Sequence, residues 1–90
     1  MYVEELCVAG PLTAESAEGL ASAMVGYTAR ITLSSNGSSV QLPNLPWCWD
    51  VLRLRAGSVV TVTVEHGRRP GEDRIAMRAF VARLRALTGA

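Results

Sequence analysis

The sequence predicts an α+β protein in which one four-stranded, largely antiparallel sheet lies under helices gathered on one face. Three observations carry that expectation. "ITLSSNGSSVQL" places Asn36-Gly37, a φ > 0 turn pair, between two runs of alternating apolar and polar residues. "SVVTVTVEHG" sets Val60, Val62 and Val64 on one face of a strand and Val59, Thr61 and Thr63 on the other. Two further stretches, near residues 13–25 and 72–87, repeat apolar residues at helical spacing.

In chain order, Tyr2 to Ala9 has β character, with Leu6 and Val8 at period two, and stops at Gly10-Pro11, which continues a ladder poorly. From Thr13 to about Val25, the residues Ala17, Leu20, Ala21 and Met24 form one helical stripe. Thr13 is the expected N-cap and Gly26 the expected terminator. The hairpin follows, with Ile31, Leu33, Val40 and Leu42 alternating inward. "PNLPWCWDVLRLRAG" opens with two prolines and closes on a glycine, which leaves room for a short helix from about Pro46 to Leu54. After the valine strand, "HGRRPGEDR" reads as a turn with no apolar anchor. Glu72 to Leu87 is then an amphipathic helix with Ala76, Phe80, Leu84 and Leu87 inside and Arg74, Arg78 and Arg85 outside. The order is βαββαβα, with no internal repeat, linker or low-complexity tract.

Composition bounds the function. Ninety residues suit a single domain with one modest core. With 49% hydrophobic residues, 19% charged residues and a formal net charge of +1, the chain has neither the composition of disorder nor the field of a polyanion binder. No nucleic-acid partner is implied. Apolar residues nowhere run to membrane-spanning length, and Glu4 and Glu5 stand where a signal peptide needs a basic segment. The expectation is a cytoplasmic protein with no membrane association.

Cys7 and Cys48 are too few and too widely spaced for a zinc site or a Cys-x-x-Cys redox motif, and are expected as reduced thiols. Whether Cys48 is buried or reactive stays open. His66 is the single histidine, expected as a solvated loop residue rather than a metal ligand or a base. No metal or other cofactor is implied.

The element order, the hairpin "ITLSSNGSSVQL", the passage "LRLRAGSVVTVTVE" into the last strand and the closing amphipathic helix together resemble HPr, the histidine-containing phosphocarrier of the bacterial sugar phosphotransferase system. The resemblance covers essentially the whole chain. It implies an HPr-like open-faced sandwich and a phosphoryl group accepted from enzyme I on a histidine at the start of the first helix, then passed to an enzyme IIA. Free backbone N–H groups, the positive helix end and a nearby arginine would hold the phosphate.

This chain departs from that pattern at the residues that carry the chemistry. The family writes Gly-Leu-His-x-Arg-Pro, and "GPLTAESA" aligns Thr13 with the histidine, Glu15 with the arginine and Ser16 with the proline. A phosphoester on Thr13 would be a poor donor, and Glu15 adds negative charge where the family puts positive. His66 follows the last strand and does not substitute by position. The place of the regulatory serine of Gram-positive members is taken by Asn44, and Ser38 and Ser39 read as turn and strand-edge residues.

Two clusters remain. In "LPNLPWCWDVL", Trp47 and Trp49 lie about 200° apart on a helix, so they cannot both face the core. In the family this segment and the start of the first helix form the partner-docking surface. Leu45, Trp47 and Trp49 are therefore candidate docking residues; the alternative is one tryptophan capping the core and one lying along the surface. Arg68, Arg69, Arg74 and Arg78 gather at the entrance to the last helix. The interleaved Glu65, Glu72 and Asp73 and the lack of stacking aromatics favour a solvated charged turn over an anion or nucleic-acid patch.

Three function classes follow. The first is an HPr-like protein without phosphoryl transfer, a non-catalytic protein-binding or regulatory module rather than an enzyme. The second is a phosphocarrier, with enzyme I and IIA proteins as partners. The third is a module recruited elsewhere that binds a small anion at a helix start made by Thr13, Ala14 and Ser16.

Overall fold

The computed structural model describes residues 1–89. The strands are β1 (Tyr2–Cys7), β2 (Arg30–Ser35), β3 (Ser38–Gln41) and β4 (Val59–Glu65), in one antiparallel sheet of order β1-β4-β2-β3. The helices are α1 (Ala14–Ala23), the single-turn α2 (Leu45–Cys48) and α3 (Glu72–Leu87). The α+β class, the element order and the open-faced arrangement agree with the sequence.

Pleating explains which face is covered. Leu6, Ile31, Leu33, Val40, Val60, Val62 and Val64 point to one side and are buried beneath α1 and α3, whereas Thr32, Ser34, Val59, Thr61 and Thr63 face outward. The helices supply Ala17, Leu20 and Met24 from α1 and Ala76, Met77, Phe80, Val81 and Leu84 from α3. Ala21 and Leu87, also expected inside, are half-buried and pack against this core.

The hairpin turn is as expected. Asn36 and Gly37 have φ of 52° and 80°, the doubly left-handed geometry that matches the twist of the flanking strands. The first strand ends two residues before Ala9, yet Val8 keeps two ladder-like bonds, donating to Ser58 O at 2.9 Å and accepting from Gly57 N at 2.8 Å. At the next residues the chain passes close to the end of α3. A Cβ on Gly10 would lie 2.9 Å from the carbonyl oxygen of Thr88, so this approach requires glycine.

Two expectations need correction. Helix α1 ends on Met24 rather than at Gly26, and Tyr27 N donates to Met24 O at 3.1 Å to turn the chain. Gly26 does not adopt the left-handed conformation of a terminating glycine. The helix expected from Pro46 to Leu54 is instead a relay of three short helical segments: 3₁₀ turns at Leu42–Asn44 and Trp49–Leu52 with α2 between them. The relay ends on Arg53, whose φ is 52°. Pro43 and Pro46 lack the N–H that a continuous ladder needs, which favours a chain of short turns over one helix.

Candidate functional site

Residues 10–16 lead into α1. Thr13 has extended backbone, and its Oγ1 accepts from Ser16 N at 3.0 Å while lying 3.0 Å from Ser16 Oγ. Its carbonyl accepts from Ala17 N at 2.9 Å. Thr13 is thus the N-cap, and its hydroxyl is committed to the helix. Of the anion candidates Thr13, Ala14 and Ser16, the Ser16 N–H is already used, and the carboxylate of Glu15 stands in the same first turn. Two of the turn's N–H groups thus have partners, Ser16 on the cap hydroxyl and Ala17 on the cap carbonyl, and the Glu15 carboxylate further lowers its attraction for a phosphate.

The relay of residues 42–52 is the second part of the site. Leu42, Leu45 and Leu52 are buried, and each anchors its turn with about 1.5–3 kcal/mol of apolar burial. Leu45 is therefore a core residue, not a surface contact, which corrects its place among the docking candidates. The two tryptophans separate as their spacing requires. Trp47 is 82% exposed, and Trp49 is half-buried and packed on the core. Val51, four residues after Trp47, is also exposed, a position that no local signal in the sequence marks. Cys48 is half-buried against the core, and Cys7 is exposed on β1; both thiols are free.

A side chain from the hairpin fixes the end of this relay. Asn36 Nδ2 donates to Leu52 O at 2.8 Å and to Arg53 O at 3.3 Å. Asn36 therefore does two things: it tolerates the left-handed turn and it ties the carbonyl end of the relay to the sheet. The Asn-Gly signature revealed the first role, and nothing local in the sequence revealed the second.

The charged turn before α3 hides the largest departure from expectation. Glu72 is 4% exposed and accepts from Thr28 Oγ1 at 2.6 Å, from Ala29 N at 2.8 Å, from Thr28 N, and more weakly from Arg69 N and Nε. The Thr28 hydroxyl, then the N–H groups of Ala29, Thr28 and Arg69, hold its carboxyl at about 2 instead of the ordinary 4.5, outweighing the burial that acts the other way. Arg69 also donates through an Nη to Gly26 O at 2.6 Å. The turn that lacks an apolar anchor has a polar one. Arg69 is occupied by it, while Arg68, Arg74 and Arg78 are exposed, in keeping with a solvated charged turn.

His66 follows the far end of β4, with φ of 63° and its Nε2 3.6 Å from Glu65 Oε2. The chain enters α1 from the end of β1 that pairs with the start of β4, so the length of that strand, about 20 Å, separates the two ends. His66 does not join Thr13 in one site. Among the described residues no group of three His, Cys, Asp or Glu side chains is placed to hold a metal, and no helix is long and apolar enough to cross a membrane.

Solved structures share this architecture from end to end. An HPr from Thermoanaerobacter tengcongensis superposes with a TM-score of 0.78 at 17% identity, covering 100% of this chain and 98% of that one. The chain has the HPr fold. The histidine-containing phosphocarrier protein of Mycoplasma gives 0.77 at 17% identity, covering 99% and 100% of the two chains. The phosphocarrier protein HPr of Bacillus anthracis gives 0.75 at 20%, covering 92% and 95%. No protein-family model and no curated protein matches the sequence.

Proposed function

We propose that this chain is an HPr-like protein that has given up phosphoryl transfer and acts as a non-catalytic module, docking a partner protein through the face centred on Trp47. One observation carries the reading. Trp47 is 82% exposed on a short element that is otherwise anchored by buried leucines and by Asn36. A solvent-facing indole on a rigid support is the side chain most enriched at binding hot spots, and it loses little entropy on contact. Trp49, half-buried and packed on the core, supports the element from within.

The first turn of α1 supports the loss of transfer. Thr13 and Glu15 stand where the resemblance puts histidine and arginine. The Thr13 hydroxyl is bound into the cap, and Glu15 opposes a dianion. His66, the sole imidazole, is at the other end of β4. The module acts in the cytoplasm, alongside the soluble phosphotransferase proteins or a pathway that has borrowed the fold.

Incubation with enzyme I and labelled phosphoenolpyruvate is expected to leave no acid-labile phosphate on the protein. Stoichiometric label that moves on to a IIA protein would overturn the reading. For docking, Trp47→Ala is expected to keep the fold and abolish capture of a cellular partner. Unchanged capture by a folded Trp47→Ala protein would remove Trp47 from the surface.

A further inference from the structure

The outer face of α3 carries charge of one sign. After Asp73 the helix has Arg74, Arg78, Arg83 and Arg85 and no acid. All four are exposed, and none has a carboxylate within 4.0 Å among the described residues. The two acids of the first turn are engaged elsewhere. Glu72 accepts from Thr28 and Ala29, while Asp73 accepts from Gly67 N at 2.8 Å and faces the Met1 ammonium at 3.8 Å. The arginines are therefore not offset by their own helix.

Their spacing has a pattern. Ile75, Ala79, Ala82 and Ala86 recur at intervals of four, three and four residues, the rhythm of a helix seam, with Ile75 and Ala82 at d and Ala79 and Ala86 at a. Ile75 is 57% exposed, Ala82 and Ala86 are exposed, and Ala79 is half-buried, so this stripe faces away from the one that Ala76, Phe80 and Leu84 bury on the sheet. In the same register Arg78 and Arg85 take the g positions and Arg83 the e position, the flanks through which paired helices choose each other.

We propose that this face docks an acidic amphipathic helix of a partner protein, with large aliphatic side chains over Ala79, Ala82 and Ala86 and carboxylates beside Arg78, Arg83 and Arg85. Charge complementarity selects that occupant. A second copy of the chain is disfavoured in either orientation: a parallel pair sets Arg78 against Arg83 of the second copy, and an antiparallel pair again sets arginine against arginine. The alanines decide between a helix and a flat anionic surface. They leave a shallow trough with charge on both sides, into which the side chains of a helix fit, whereas a face that binds membranes presents large apolar residues to the acyl boundary. From Ile75 to Ala86 the trough runs about 16 Å, room for about three turns of a partner. It shares no residue with the Trp47 face, so either surface can fail without the other.

Amide chemical shifts of the ¹⁵N-labelled chain test this with a three-heptad peptide that has leucine at a and d and glutamate at e and g. Two peptides serve as controls, one with lysine at e and g and one with the glutamate sequence scrambled. The glutamate peptide is expected to move resonances across residues 74–86 and to bind about tenfold or more tighter than either control. Arg78→Glu combined with Arg85→Glu should reverse the preference between the glutamate and lysine peptides. Ala82→Arg separates a seated helix from plain attraction between charges. Added positive charge tightens the latter, whereas a long side chain on the floor of the trough should weaken a seated helix about tenfold. All these positions are exposed, and unchanged melting temperatures are expected. No shifts, equal binding of the scrambled peptide, or tighter binding by Ala82→Arg would each overturn the proposal. So would stronger binding to phosphatidylglycerol vesicles than to the peptide, or shifts at residues 74–86 that grow with protein concentration alone, which would assign the face to a membrane or to a second copy.

Discussion

Writing histidine and arginine back into the first turn of α1 should destabilise the protein. Thr13→His removes the hydroxyl that accepts from Ser16 N at 3.0 Å, and loss of such a cap costs about 1 kcal/mol. Glu15→Arg replaces an acid at the positive end of the helix by a cation. A favourable interaction of about 0.5 kcal/mol becomes an unfavourable one of the same size, a change of about 1 kcal/mol. The double variant should therefore lose about 2 kcal/mol, and each single about half of that. In a domain of this size, about 1 kcal/mol lowers Tm by roughly 4–8 °C. Thermal unfolding followed by circular dichroism reads these changes, with Thr13→Ser as the control that keeps the cap. Repeating the melts in about 1 M salt separates the two contributions, because screening removes the charge effect and leaves the cap. A double variant as stable as the parent, or a Thr13→Ala protein that melts with Thr13→Ser, would refute the claim that this turn is built for folding.

Three other outcomes are expected. The Glu72 carboxyl titrates below its unfolded value, so its contribution is fully present above pH of about 4.5 and is lost as pH falls through about 2. Acid unfolding of Glu72→Gln should show a shallower fall across that window, and an identical acid limb would count against the buried carboxylate. Asn36→Asp keeps a side chain tolerant of the left-handed turn but removes both donors to Leu52 and Arg53, and should cost about 1–2 kcal/mol in urea unfolding; no change would mean the tie is idle. Trp47→Ala should leave stability within about 0.5 kcal/mol, whereas Trp49→Ala, which uncovers packed core, should lower it by more than about 1 kcal/mol, and the reverse order would contradict their assigned burial.

Much of the fold was legible because its signals are local. Asn36-Gly37, the valines of β4, the α1 stripe with its Thr13 cap and the Ala76, Phe80 and Leu84 line are each readable within one or two turns of chain. What escaped depends on residues distant in sequence. Glu72 sits among arginines and an aspartate and reads as a solvated acid, yet its partners Thr28 and Ala29 are 44 and 43 positions away. The tryptophan spacing announced that one ring must be exposed, but the choice of Trp47 depends on how the relay docks against the sheet. Leu45 shows the same limit from the other side, since an apolar residue beside an exposed tryptophan looks like a surface neighbour until the core closes over it.

The buried carboxylate of Glu72 also bears on how the molecule fluctuates. The amides of Thr28 and Ala29 precede β2 and belong to no ladder, and such loop amides ordinarily exchange with solvent quickly. Here they release their protons only when the start of α3 lifts away from the loop, because the acceptor belongs to that helix. Hydrogen exchange should therefore find two slowly exchanging amides in a connecting segment, moving in step with the opening of the last helix. The loop between α1 and β2 thus shares its clock with the opposite end of the sequence.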